Sequence, residues 1–238
     1  MKTDTTLRLG RVQYRQLAEL TKQSGCCLAI GTHEELRGAW GIFNPFVQAV
    51  HADACVDTPF LQEKGVIQIA RSVDAGRLRS VQRPEIDWSQ LEDDEIYEFI
   101  VQHELGHYRS NHCIFKIFEI HDRDIHTACH RVIRAVNEVL ADRFAWNAIR
   151  PSEPVPLCET GKRLQEQMVE ALALLDKHAP RSRITPHVLP AGQYLYVPRS
   201  MLLTDWRLAY VGPLVSPELV ERGRSYERAR RGGHQWIV

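Results

Sequence analysis

Residues 96–110, IYEFIVQHELGHYRS, constrain this chain more than any other stretch. At about 100° per residue, Ile96, Ile100, His103 and His107 fall on one stripe and Tyr97, Val101 and Leu105 on another. A helix built this way is apolar on most sides and has to be surrounded by other elements. Asp93 or Asp94 is a suitable N-cap for it. Two imidazoles buried in such a helix are costly unless something satisfies them.

The spacing offers a partner. Positions i and i+4 project from one helix face, roughly 6 Å apart along the axis. Both rings can then reach one zinc ion at about 2.0–2.1 Å. His103 and His107 become two ligands. Glu104, next in sequence, leans towards the metal without binding it and is the candidate general base. A bare HExxH also arises by chance, and a core helix with two satisfied imidazoles is the competing reading. Gly106 favours the metal, because it removes side-chain bulk where a packed helix needs close approach.

A catalytic zinc needs a third protein ligand and an open fourth position. The metzincin spacing wants a glycine three residues and a histidine six residues after His107, but Ser110 and Cys113 stand there. His121, His126 and His130 are weaker alternatives that need a helix to return them. The best candidate is Glu138 in AVNEVLADRFAWNAI, 31 residues after His107, which leaves room for a turn and an antiparallel return. Asp142 lies one turn further along the same face, placed to accept the second ring N–H of a ligating histidine. The competing reading pairs these two carboxylates with Arg134 or Arg143 on a solvated helix surface.

HELGH (103–107) together with Glu138, Ala141, Asp142, Phe144, Ala145 and Ile149 resembles the ImmA/IrrE type of metallopeptidase. The preceding order, a helix, short strands, GVIQIARSV and an acidic approach to the HExxH helix, fits as well. The likeness spans roughly residues 11–155. It implies a zincin-like fold with two histidines and a glutamate on zinc, a water activated by the HExxH glutamate, and peptide-bond cleavage. Members typically act inside bacterial cells, often on a helix-turn-helix repressor. The segment 44–64 and the stretch between His107 and Glu138 are longer than that pattern, and residues 156–238 match no part of it. A metal-bearing protein that captures a regulator, a restriction component or DNA without cutting is the alternative. A structural zinc clamp is disfavoured, since three ligands plus a neighbouring glutamate describe an open site.

The rest of the chain supplies the frame. RVQYRQLAELTKQ (11–23) predicts a helix stopped by Ser24-Gly25, and CCLAI, AWGIF and VIQIA predict strands. Residues 71–94 are polar and read as a long surface connection, and 111–124 is ambiguous. Helices follow from about Ile125 to Ile149 and over GKRLQEQMVEALALLDKHAP, with a short strand at YLYV (194–197). The expected class is therefore α+β, a small mixed or antiparallel sheet packed on the HExxH helix and a third-ligand helix. Residues 1–155 form the metallopeptidase domain and 156–238 a helical and irregular extension.

VIQIA is either an ordinary strand or an edge that pairs with an extended substrate. Tyr108, His187, Tyr194, Tyr196 or an arginine are candidate oxyanion donors, with nothing to choose between them. The histidine-rich stretch 111–130 matches no single metal template and reads as a solvated segment.

Composition sets the remaining bounds. The 238 residues carry a formal net charge of zero, which gives no push towards nucleic acid or membrane. The arginine-rich end, five arginines against three glutamates over 218–231, is too weakly basic for a nucleic-acid interface. No run approaches the ~18 apolar residues of a membrane span, and the start lacks a signal-peptide pattern, so a cytoplasmic protein is expected. Cys26, Cys27, Cys55, Cys113, Cys129 and Cys158 have neither CxxC nor disulfide-framework spacing, and reduced thiols are expected.

Overall fold

A computed structural model of the chain describes residues 5–44, 48–51, 65–182 and 208–211. The class is α+β, with small sheets and several helices. A three-stranded mixed sheet has the order β2 (Cys27–Gly31), β5 (Val66–Ala70), β3 (Gly41–Asn44). β2 runs parallel to β5, and β3 antiparallel to it. β1 (Thr6–Arg8) and β6 (Ser72–Asp74) make an antiparallel pair, as do β4 (Gln48–His51) and β7 (Leu208–Val211).

Helix α1 (Arg11–Gln23) ends where expected. Ser24 caps it, and Gly25 takes a φ of 79°, a left-handed turn that costs glycine little. α2 (Ala75–Arg79) is short, and its N-cap Asp74 accepts the Arg77 N–H. α3 (Ile96–Ser110) is the HExxH helix. Its cap is Glu95 rather than Asp93 or Asp94, because Asp93 is engaged by Arg79 at 2.5 Å while the Glu95 carboxylate accepts the Glu92 N–H. A single turn, α4 (Ile114–Ile117), resolves the ambiguous stretch by burying Ile117. α5 (Arg123–Ile149) starts at Asp122, whose carboxylate accepts the N–H groups of Asp124 and Ile125. Pro151 follows its end. α6 (Glu159–His178) is the amphipathic helix expected after the proline-rich break.

α3 is wrapped as its sequence requires. Tyr97, Phe99, Ile100, Val101 and Leu105 join Ile67, Ile69, Leu36 and Trp146 in the main core. Each such buried side chain contributes about 1.5–3 kcal/mol. α5 serves two cores. One face meets α3, and the other carries Cys129, Ile133, Val136 and Leu140 into a second cluster with Ile117 of α4 and Leu175 of α6.

Residues 71–94 depart from the expected surface connection. They include β6, α2 and a 3-10 turn at Trp88–Gln90, and they bury Val73, Leu78, Ile86, Trp88 and Leu91 completely or nearly so. The segment looks polar although two of its arginines are matched inside the fold, Arg79 by the Leu91 carbonyl and Asp93 and Arg83 by Asp142 and Glu138. Glu85, 4% exposed, receives two bonds from Arg143 of α5. VIQIA is the central strand β5, so it offers no free edge, and β3 is the sheet's antiparallel edge.

Residues 156–161 are tied to the body. Asp87 donates its N–H to the Pro156 carbonyl, Ile86 and Leu157 form a bridge, and Cys158 donates its N–H to the Glu85 carbonyl. His112 is also buried structurally, with its Nδ1 2.7 Å from the Ala179 carbonyl and its backbone bonded to Asn137. Among the described residues, Cys113, Cys129 and Cys158 are free thiols, and no helix is long and apolar enough to cross a membrane. Cys55, YLYV, His187, Tyr194, Tyr196 and the arginine-rich end lie outside the described residues.

Candidate metal centre

The crossing of α3 and α5 creates the site. A Cβ on Gly106 would lie 2.8 Å from the Ala141 Cα and 3.1 Å from its carbonyl oxygen, so glycine alone lets the two backbones approach this closely. The crossing brings together residues from both helices: His103, His107 and Glu138 offer ligand atoms that all lie within 4.8 Å of one another, a group able to hold a metal ion. His121, His126 and His130 do not join any such group among the described residues. His126 and His130 instead face each other along α5, ring centroids 6.1 Å apart.

The donor geometry suits a metal. The two Nε2 atoms are 3.1 Å apart, and Glu138 oxygens lie 3.5 Å from His103 Nε2 and 3.6 Å from His107 Nε2. Three donors placed tetrahedrally at about 2.0–2.1 Å from one centre are roughly 3.3 Å apart. The other ring nitrogens are engaged elsewhere. His103 Nδ1 lies 2.8 Å from Asp142 Oδ1, and His107 Nδ1 3.1 Å from Asn111 Oδ1. A carboxylate only accepts, so His103 donates from Nδ1. That leaves Nε2 lone pairs converging at a separation where they repel unless a cation or proton lies between them.

Electrostatics agree with this picture. Burial opposes charge on His103, but hydrogen bonds to Asp142 and Glu138 outweigh it and push the ring up to about 10. The His107 ring is pushed down by burial and by the neighbouring His103 charge. Burial also works against the Glu138 carboxylate, yet His103, His107 and Arg83 together hold it well below the usual range. Glu104 behaves differently. Burial pushes its carboxyl up to about 7, with the Glu138 charge adding and the His103 charge opposing.

Glu104 is fixed against the edge strand. It is 6% exposed and accepts the backbone N–H of Phe43 in β3. A Cβ on Gly41 would meet Glu104 Oε1 at 2.6 Å and Ile100 Cγ2 at 2.8 Å. Only glycine at the start of β3 lets the strand lie over this carboxylate. Tyr108, one of the oxyanion candidates, is fully buried against Phe43 instead.

Comparison with protein-family models, curated proteins and solved structures finds no match. The chemistry of this centre therefore rests on its own geometry. Two features had escaped sequence reasoning. Gly41 is one, legible only once β3 is seen to cross α3. The other is Arg83, whose Nε lies 2.9 Å from Asp142 Oδ2 and whose Nη2 lies 2.7 Å from Glu138 Oε2. The expected surface partners behave otherwise: Arg143 pairs with Glu85, and Asp142 is fully buried. Gly76 and Pro84 are the visible signals, and they point to a loop rather than to its arginine.

Proposed function

We propose that this chain is a zinc-dependent endopeptidase of the ImmA/IrrE type, with a zincin-like fold. The carrying observation is the convergence of two imidazole Nε2 atoms and the Glu138 carboxylate, with the buried Glu104 beside them. Two imidazoles and one carboxylate are a donor set of catalytic zinc sites. When bound, zinc would supply Lewis-acid polarisation of the scissile carbonyl and acidify water at the site.

The protein's own residues would do the rest. His103, His107 and Glu138 hold the metal. Asp142 orients the His103 ring through Nδ1, and Asn111 does the same for His107. Glu104 accepts a proton from the attacking water and passes it to the leaving nitrogen, a task that suits a carboxyl at about 7. β3, the antiparallel edge beside Glu104, is the strand against which an extended peptide would be laid. The resemblance makes helix-turn-helix regulators inside the cell the first substrates to test.

The experiment incubates the protein with helix-turn-helix regulators encoded nearby. Chelator-sensitive cleavage by the wild type, and none by a Glu104→Gln variant that retains its metal, is the expected result. An intact, stable complex with no cleavage would instead support a metal-bearing binding protein. Cleavage undiminished in Glu104→Gln would remove Glu104 from the mechanism.

A further inference from the structure

Asp142 is fully buried, Glu138 is bound for the metal, and both carboxylates sit one turn apart on α5. A buried carboxylate needs a counter-charge and filled lone pairs. Asp142 receives His103 Nδ1 on Oδ1, Arg83 Nε on Oδ2 at 2.9 Å and Arg83 Nη2 on Oδ1 at 3.1 Å. The same Nη2 reaches Glu138 Oε2 at 2.7 Å. One guanidinium thus grips both the metal-ligand carboxylate and the carboxylate that aims a metal-ligand histidine.

We propose that Arg83 is a positioning residue of the metal centre: it clamps Asp142 against the His103 ring and fixes the Glu138 carboxylate through Oε2, so that Oε2 stays 3.5 Å from His103 Nε2 and Oε1 3.6 Å from His107 Nε2. This rests on the metal-centre reading, although not on proteolysis. The anchoring of Arg83 supports it. Pro84 biases the Arg83 backbone away from helix. The Arg83 carbonyl accepts the Cys158 thiol at 3.4 Å, and the neighbouring Glu85 is fixed by Arg143 and by the Cys158 N–H. The guanidinium lies 4.3 Å over the Trp88 ring, with its side chain 13% exposed. Trp88 in turn stands edge-on to His103, centroids 6.2 Å apart.

The geometry also says why arginine is present. Nε and Nη2 of one rigid plane grip Asp142 while Nη2 also reaches Glu138, an arrangement that a single ammonium on a flexible stem cannot reproduce. Loss of such an outer partner lowers metal affinity by about 10- to 100-fold. It also frees the Glu138 carboxylate to turn, which changes how it faces the two imidazoles.

The test loads the full-length protein with Co(II) and reads affinity by chelator competition and coordination by the visible d–d bands, with circular dichroism as the folding control. Arg83→Met should fold, lose roughly 10- to 100-fold in affinity and show altered bands as the Glu138 carboxylate turns. Arg83→Lys should fall between. Arg143→Met breaks the other ion pair anchoring the same segment and should keep wild-type affinity and spectrum. Folded Arg83→Met with wild-type affinity and spectrum overturns the proposal, and if its cleavage is nonetheless lost, Arg83 acts on substrate. Equal losses in Arg83→Met and Arg143→Met overturn it too, leaving a structural ion pair. If Arg83→Met does not fold, Arg83→Lys is judged by the same criteria. A wild type that takes up no cobalt refutes the metal centre itself and the Arg83 role with it.

Discussion

Gly106→Ala tests whether the α3–α5 approach builds the site. The added methyl would stand 2.8 Å from the Ala141 Cα, and ordinary packing begins at 3.4 Å, so the helices must part by about 0.6 Å. The obstacle is backbone, with the Phe144 Cβ at 3.1 Å beside it, and neither can rotate away. Overpacking of this kind costs about 1–3 kcal/mol. The gain from replacing glycine in a helix interior returns about 1 kcal/mol. Because the clash is with main chain, the net loss should be about 2 kcal/mol, or roughly 4–8 °C in Tm for a chain of this size. Metal sites tolerate ligand displacements of about 0.2 Å, so the same shift should weaken zinc binding as Glu138 and Asp142 move away from α3. Thermal unfolding of the metal-free variant and chelator competition measure the two effects separately. An unchanged or higher Tm with wild-type zinc affinity would refute the argument that this glycine sets the ligand geometry.

Two further perturbations probe the same centre. Asp142→Ala removes a fully buried carboxylate from Arg83 and His103, and should destabilise the protein by about 3–5 kcal/mol, read by urea unfolding; a loss below about 1 kcal/mol would mean that the pair is already offset by solvent or by Glu138. Metal uptake should release protons at neutral pH, because His103 is raised to about 10 and holds a proton until the metal displaces it. Affinity should therefore rise with pH, by about tenfold per unit while one proton is displaced. Calorimetry in two buffers of different ionisation enthalpy checks this, and buffer-independent heats would sink it.

The site was legible where periodicity and ligand spacing coincide. His103 and His107 share a helix face by their spacing alone, and Glu138 and Asp142 stand out as carboxylates on an apolar helix. α1, α3, α5, α6 and the strands β2, β3 and β5 followed from local pattern and from Ser24-Gly25 and Pro151 as stops. What escaped depends on pairs distant in sequence. Arg83 and Asp142 are 59 residues apart, and Arg143 and Glu85 are 58 apart. Each residue alone reads as solvated charge, so residues 71–94 looked like surface when they are partly core. The rank of a strand within its sheet is equally invisible locally. Five consecutive buried residues in Val66–Ala70 are the mark of a central strand, yet VIQIA by itself permits either place. Gly41 belongs with these, since its need for no side chain comes from Glu104, 63 residues away.

Metal content is the most direct measurement of the central claim. Purified protein, reconstituted with zinc and freed of excess, should carry about one equivalent per chain by elemental analysis, and His103→Ala and Glu138→Ala should each lose it while remaining folded. Wild-type protein without zinc, or Glu138→Ala with a full equivalent, would contradict the proposed ligand set.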